Sequence, residues 1–328
     1  MKNVLDQINS GLIGGAVVLV GDLTQNHIFY AAGCADWQTG TPMTTDSVFD
    51  IASITKVVGT NSVLLAAIAD GLVDLDKPFT DYLPEFTGNM PQPVKVRELA
   101  QHISGVNINY CHTGTLDEMY RGILNVDFPY PPRTKFEYTC TNYILLGFML
   151  EKVYGRPLNE IAQERVFRPL GMTETNWTEP LDGLQARTIR TINADPGIIS
   201  DFGAQAYFPR PFGNAGIFST AADLAKFARM MLKNDGSIFP KHIVDLCFKN
   251  FNPPEIQPPR AIGWNMASAL IPDGLSPQTV FHSGWTGQTL WLDPGTNRFV
   301  IVLTNRKADW AEAQSGRKAI AEEALSML

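Results

Sequence analysis

Apolar residues fall into two patterns along this chain. Near both ends they form short β-branched runs, and in the middle they recur at helical spacing. Residues 15–20 are apolar and rich in valine, residues 22–26 are a polar turn, and residues 27–32 read as the returning strand of a hairpin. The pattern returns near the C-terminus. Residues 288–292 predict a strand, Pro294-Gly295-Thr296-Asn297 a turn, and residues 299–303, all apolar, a second strand, before a final helix over 310–325. Between these ends the period changes from two to about 3.6. Residues 54–69 predict a long, nearly uncharged helix stopped at Gly71. Residues 142–154 predict a second helix stopped by Gly155 and Pro157, and residues 158–166 a third. Thr220-Ala221-Ala222-Asp223 has the form of a capping box opening a helix to about 232. Proline-rich stretches at 129–132, 209–211 and 253–259 separate these elements, and no internal repeat is present. Strands at both ends with helices between them predict one sheet built from both termini, with a helical region inserted.

Composition narrows the function classes. The chain has 328 residues, 45% hydrophobic and 18% charged, enough for one large core. A formal net charge of −7 leaves no basic surplus to neutralise phosphates, so nucleic acid is not an expected partner. The same balance gives no support for docking on anionic membranes. Cys34, Cys111, Cys140 and Cys247 are scattered, show no C-x-x-C pair and make no disulfide framework; whether any two meet is open. The five histidines lack ligand spacing, which argues against a metallohydrolase, and no cofactor is expected. The apolar run 11–20 has one lysine before it and no small-residue cleavage site after it, so it reads as a helix fragment and a buried strand rather than a signal peptide. No other segment is expected to approach the roughly 18 apolar residues of a membrane span. As written the chain reads as cytoplasmic, or as secreted or periplasmic if a leader has been removed.

The candidate chemistry starts at Ser53-Ile54-Thr55-Lys56. On a helix, positions three apart share a face, so the hydroxyl and the amine can touch. A lysine held there, partly desolvated near a helix N-terminus, is expected to have its pKa lowered, and can take the hydroxyl proton as Ser53 attacks an acyl carbon. The helix N-terminus also offers a backbone N–H to the developing oxyanion. The spacing alone is weak, because Ser315-Gly316-Arg317-Lys318 repeats it. That second copy falls on the polar face of the C-terminal helix and reads as solvated. Ser53 instead follows the strand-like Val48-Phe49-Asp50-Ile51 and opens an apolar helix, where a lysine needs a reason.

With its flanks, Phe49-Asp50-Ile51-Ala52-Ser53-Ile54-Thr55-Lys56 resembles the first motif of the serine β-lactamase and penicillin-binding-protein superfamily. The likeness is nearest to its class C β-lactamase and family VIII esterase branch. Four further phrases agree in order: the stretch from Val96-Arg97-Glu98-Leu99 to His102-Ile103-Ser104-Gly105-Val106, Phe136-Glu137-Tyr138 with Asn142-Tyr143-Ile144-Leu145-Leu146-Gly147, Pro169-Leu170-Gly171-Met172, and Ala215-Gly216-Ile217-Phe218-Ser219-Thr220-Ala221-Ala222-Asp223-Leu224. The resemblance covers nearly the whole chain. It implies an α/β (α+β) fold as one β-lactamase-related domain over 1–328. Residues 1–60 and 255–328 would form a central antiparallel sheet flanked by helices, and 61–254 a mainly helical part, with the active site in the cleft between them.

The resemblance also implies a tyrosine that relays a proton beside the lysine, here Tyr138, which otherwise reads as one more half-buried aromatic. The third motif is read as His282-Ser283-Gly284. Gly284 would let substrate lie against the strand edge. The Trp285 N–H would be the second oxyanion donor, and its ring one wall of the site. His112-Thr113-Gly114 is a decoy that breaks the family order. His102 reads as a buried, hydrogen-bonded histidine. The chain departs from the family pattern twice. Cys140 stands where an asparagine amide is usual, and His282 where a lysine is usual. A thiol is a poor donor and acceptor, so Cys140 reads as a small packing residue or, less simply, a reactive thiol. Both changes weaken polar recognition of a charged amide and leave the acyl-transfer groups intact. A metal-free ester hydrolase is therefore expected, acting on a small-molecule ester or amide. A β-lactamase or D-amino-acid peptidase, and a catalytically silent binding module, are the alternatives. The loops 107–130 and 198–212 are expected to shape an apolar substrate pocket.

Overall fold

Nine strands and two cores organise the described residues of the structure, a computed structural model in which residues 1–108, 114–178 and 183–328 are described. The strands are β1 (Ile13–Asp22), β2 (Asn26–Asp36), β3 (Thr41–Pro42), β4 (Phe49–Asp50), β5 (Asn176–Trp177), β6 (Ile217–Ser219), β7 (Val280–Gly284), β8 (Gln288–Asp293) and β9 (Arg298–Arg306). Six form one antiparallel sheet in the order β3-β2-β1-β9-β8-β7, so the two ends of the chain meet at the β1–β9 pair, Val18 opposite Val302. The small sheet β4-β6-β5 ties the segment before Ser53 to the middle of the chain.

Both faces of the large sheet are covered, which is why its central strands read as unbroken apolar runs. Alternate residues divide between two cores. Val18, Val20, Trp291, Val300 and Val302 pack with Val4 of helix Lys2–Asn9 and with Ile320 and Ala324 of helix Trp310–Ser326. Val17, Leu19, Leu290, Ile301 and Leu303 face the helical region, including Leu224 and Phe227 of helix Ala221–Lys233. That helix opens as its sequence predicts, with the Thr220 hydroxyl accepting from the Asp223 N–H at 3.2 Å. Asp223 completes the cap differently: its Oδ2 accepts from the Glu174 N–H at 2.8 Å and the Thr175 hydroxyl at 3.0 Å.

Two expectations are corrected here. The helix predicted over 54–69 is three pieces: a 3-10 turn Ala52–Ile54, a π-helical turn Lys56–Thr60, and an α-helix Asn61–Ala69. Apolar spacing locates the rod and is blind to the changes of pitch within it. The same rod, Ala52–Ala69, does reach the length and apolarity of a membrane span, contrary to expectation. Of it, 83% is buried inside the protein, so its composition is that of a core helix. Cys34 and Cys247 are free thiols, and Cys111 lies outside the described residues.

Candidate active site

Ser53 lies in the 3-10 turn directly after β4. The preceding Ala52 has φ +45°, a left-handed conformation that costs a residue with a Cβ roughly 1–3 kcal/mol. Asp50 holds the turn in that shape. Its Oδ1 accepts from the Ala52 N–H at 2.9 Å, and its Oδ2 accepts from the Ser200 N–H at 2.7 Å and the Ser200 hydroxyl at 2.5 Å. Asp50 is fully buried, which pushes its carboxyl pKa up against these three donors.

Lys56 opens the π-helical turn and is buried completely. Its ammonium donates to Ser53 Oγ at 2.9 Å and to the Asn214 carbonyl at 3.0 Å, and lies 3.6 Å from Cys140 Sγ. The Asn214 carbonyl reaches it because Gly213 lies flat on helix Cys140–Tyr154. A Cβ on Gly213 would sit 2.1 Å from the Tyr143 carbonyl. The lysine is therefore held by three elements: the Ser53 rod, the loop before β6 and the start of the Cys140 helix.

The expected lowering of the Lys56 pKa is not what this surrounding gives. Burial acts to lower it, but the Cys140 thiol and the Tyr138 phenol, with Asp201 as a further source of negative charge, raise it, and the net direction is upward. Sequence spacing supplies the burial argument and omits the groups that the fold brings opposite the amine. Lys56 thus rests as an ammonium, which has no lone pair to accept a proton, so the Lys56–Tyr138 pair can take the proton of Ser53 only in the form that carries one proton fewer than ammonium plus phenol.

Tyr138 comes just before the Cys140–Tyr154 helix and is 40% exposed. The Lys56 nitrogen is 5.3 Å from its ring centroid. On its other side the Tyr138 ring packs 4.5 Å from the ring of His102 and 6.2 Å from that of His282. His102 is buried, as expected, with Nδ1 3.1 Å from Asn142 Nδ2. Asn142 Oδ1 accepts from Ser104 Oγ at 2.6 Å, so its amide nitrogen faces His102. An amide nitrogen only donates, and His102 therefore carries its proton on Nε2.

His282, Ser283 and Gly284 lie on β7, the edge strand of the large sheet. His282 Nδ1 lies 3.1 Å from the Ser283 carbonyl, an acceptor, so the His282 proton is on Nδ1 and Nε2 is bare. Burial, with the Arg260 and Lys56 cations nearby, holds the pKa of both His102 and His282 well below the usual imidazole value. Ser283 Oγ lies 3.1 Å from Thr289 Oγ1. Gly284 lets β7 press on the Ser53 segment, since a Cβ there would sit 2.6 Å from the Ile51 carbonyl. Trp285 follows, 47% exposed, with the Arg306 guanidinium 4.2 Å from its ring centroid.

These groups share a cleft. Ser53, Tyr138, His282, Ser283 and Trp285 line a cavity of about 370 Å³ together with Phe136, Arg260 and Asn265. Ser53 and Trp285 also line an adjoining cavity of about 170 Å³ with Ser200, Asp201 and Phe202. Trp285 borders both. The 198–212 loop contributes to the second cavity, and no described residue of 107–130 lines either one. Of the residues singled out in the sequence, Cys140 touches Lys56 and lines neither cavity, and Gly284, the last residue of β7, also lines neither. His112 and Thr113 lie outside the described residues.

Sequence reasoning missed three groups: Asp50 as the clamp on the Ser53 turn, the Asn214 carbonyl on Lys56, and Arg260 in the cavity wall. Asp50 stood inside a quoted motif and could have been questioned as a charge in an apolar strand. Arg260, in a proline-rich stretch, carries no signal in the sequence. It also misjudged Arg317, placed on a solvated helix face but buried completely, with Nε donating to Thr289 Oγ1 at 2.8 Å.

Comparison with known proteins places the chain in a family and a fold. The Beta-lactamase family model matches residues 2–325. A putative D-alanyl-D-alanine carboxypeptidase of Escherichia coli (strain K12) is 28% identical over 306 residues, covering 80% of this chain and 70% of the relative. Among solved structures, EstCE1, described as a hydrolase with promiscuous acyltransferase activity, superposes with a TM-score of 0.81 at 23% identity, covering 99% of this chain and 96% of that one. A β-lactamase/D-alanine carboxypeptidase from Yersinia pestis, complexed with citrate, gives a TM-score of 0.79 at 21% identity, covering 98% of this chain and 97% of that one. With a family match from end to end, the chain belongs to the β-lactamase family and is a serine hydrolase of that superfamily.

Proposed function

We propose that this hydrolase works through an acyl-enzyme on Ser53 and that its preferred substrates are carboxylic esters. The observation that carries the first part is the 2.9 Å contact between the Lys56 ammonium and Ser53 Oγ, inside a cleft that Tyr138 also lines. Ser53 Oγ attacks the ester carbonyl, and its proton passes to the Lys56–Tyr138 pair, which reacts in the form one proton short of ammonium plus phenol and so has one vacant basic site. The carbonyl oxygen takes the negative charge, received by the backbone N–H groups of Ser53 and Trp285. As the C–O bond breaks, the departing alkoxide takes a proton back from Tyr138. A water molecule then attacks the acyl carbon, gives its proton to the same pair, and Ser53 leaves protonated with the acid released.

Ester preference rests on the two departures from the family pattern. Cys140 presents a thiol to Lys56 at 3.6 Å where an amide is usual, and His282 is buried and neutral where a lysine is usual. An ester expels a better leaving group than an amide and depends less on these groups. The name of the Escherichia coli relative favours a second reading, a D-amino-acid carboxypeptidase.

The discriminating experiment offers purified protein a short-chain p-nitrophenyl ester, a chromogenic cephalosporin and a D-alanyl-D-alanine peptide. The expected kcat/KM for the ester exceeds the others by at least about tenfold. Comparable lactam or peptide cleavage reverses the preference. No turnover, together with no labelling by a serine-directed probe, identifies a silent scaffold.

A further inference from the structure

Arg260, like Arg317, is a buried guanidinium with no ion pair among the described residues, and of the two it is the one that lines the cavity of Ser53. It is 2% exposed, yet Nε and Nη2 have no hydrogen-bond partner, and no carboxylate stands within ion-pair distance of it among the described residues. Its guanidinium lies 5.0 Å from the Phe136 ring centroid, and the groups that act on its charge are the phenols of Tyr143 and Tyr138. A buried guanidinium without a counter-ion is destabilising, and buried arginines are ordinarily paired.

The surroundings deepen the imbalance. Two more buried nitrogens lack partners, His102 Nε2 and His282 Nε2, and Arg260 is the foremost charge acting on both rings. Lys56 is a second buried cation, and its contacts are a hydroxyl, a thiol and a carbonyl rather than an acid. The cavity wall thus carries positive charge with hydrogen-bond donors unspent on Arg260. Arg260 and Ser53 line the same cavity, so whatever meets the guanidinium is attached to, or lies beside, the scissile group.

We infer that Arg260 is an anion subsite of the catalytic cleft and that the preferred substrate carries a carboxylate. The inference rests on the acyl-hydrolase reading above and narrows its substrate class to hemiesters of dicarboxylic acids or acyl esters of hydroxy acids. It also reverses part of the sequence argument. The lysine missing from the third motif does not leave the site without a cation; Arg260 supplies one from a different segment, and its planar fork suits a bidentate carboxylate.

The test pairs anionic with neutral esters of one shape. Wild-type enzyme is offered p-nitrophenyl hydrogen adipate and its methyl ester, placing the carboxylate on the acyl side, then phenylacetyl-lactate and its methyl ester, placing it on the alcohol side. In at least one pair the anion is preferred in kcat/KM, mainly through KM, by roughly 10- to 100-fold, the worth of one or two charge-assisted hydrogen bonds. The pair showing the preference tells which side of the ester faces Arg260. Arg260→Gln collapses that ratio, Arg260→Lys retains part of it, and a melting curve for each variant separates loss of the subsite from loss of the fold. Calorimetric titration of Ser53→Ala with monomethyl adipate and dimethyl adipate reads the subsite without turnover, and the monoanion binds more tightly. Equal handling of anion and neutral ester by wild type, or an undiminished preference in a folded Arg260→Gln, overturns the inference. Selective binding by Ser53→Ala with no ester turnover in wild type would instead overturn the hydrolase reading and leave the subsite standing.

Discussion

The chain contains the same spacing, serine to lysine at three residues, in two places, and the fold treats them in opposite ways. At 53–56 the two side chains meet at 2.9 Å and the lysine is buried. At 315–318 they do not meet. Ser315 is exposed and donates to the Ala311 carbonyl at 3.2 Å, while Lys318 donates to the Ala269 carbonyl at 3.2 Å and pairs with Glu322 at 3.6 Å. Both copies lie at helical spacing, so spacing does not decide. The first copy begins at a left-handed Ala52 pinned by Asp50, continues through a π turn, and is covered by β7, by the Asn214 loop and by the Cys140 helix. The second sits on a regular α-helix with water on one side. The tetrapeptide at 53–56 becomes a candidate catalytic pair because the rest of the chain buries the amine and, with the Asn214 carbonyl as its other close partner, holds it on Ser53.

The largest expected effect breaks this comparison directly. Lys56→Met should lower kcat for ester hydrolysis by roughly 10³-fold or more, while Lys318→Met should leave it within about twofold, in steady-state assays on the two folded variants. Equal losses would mean that burial does not distinguish the copies. Tyr138→Phe removes the proton carrier and keeps the ring on His102. A kcat lower by about 10²- to 10³-fold is expected, with KM little changed. A smaller loss would leave Lys56 as the sole proton carrier. Cys140→Asn restores the usual amide beside the lysine and should raise the lactam-to-ester ratio of kcat/KM by about tenfold. An unchanged ratio would remove Cys140 from the explanation of ester preference.

The smallest effect is on stability and reads the burial of the histidines. Both His102 and His282 have folded pKa values well below the ordinary 6.5. As pH falls through about 6.5 the unfolded chain takes up protons that the folded chain refuses, so stability is present above that pH and is lost below it. Each histidine contributes a slope of up to about 1.4 kcal/mol per pH unit. Chemical denaturation from pH 7 to 5 should show this fall, and His282→Gln should make it shallower. A flat profile would mean that the two imidazoles protonate in the folded protein.

Much of the fold was legible because period-two and helical patterns are local. The β1–β2 and β8–β9 hairpins and the last helix appear within a few residues of their predicted bounds. At the candidate site, motif order named Ser53, Lys56, Tyr138 and His282, which the fold brings close to one another. What stayed hidden was relational. The upward pKa direction at Lys56 depends on Cys140 and Tyr138 facing it, and the meaning of Arg260 depends on partners it does not have. Neither property belongs to a residue type or a spacing. Arg317 was misread for the same reason: helical periodicity placed it on a polar face that packs against Thr289 of β8.

The central claim is that the hydroxyl at 53 carries the acyl group, and mass spectrometry of the intact protein tests it most directly. Brief exposure to a slowly deacylating ester, followed by acid quench and peptide mapping, should show one added acyl mass on the peptide containing Ser53, and none in Ser53→Ala. An adduct on the Ser315 peptide, or one that survives Ser53→Ala, would contradict the account.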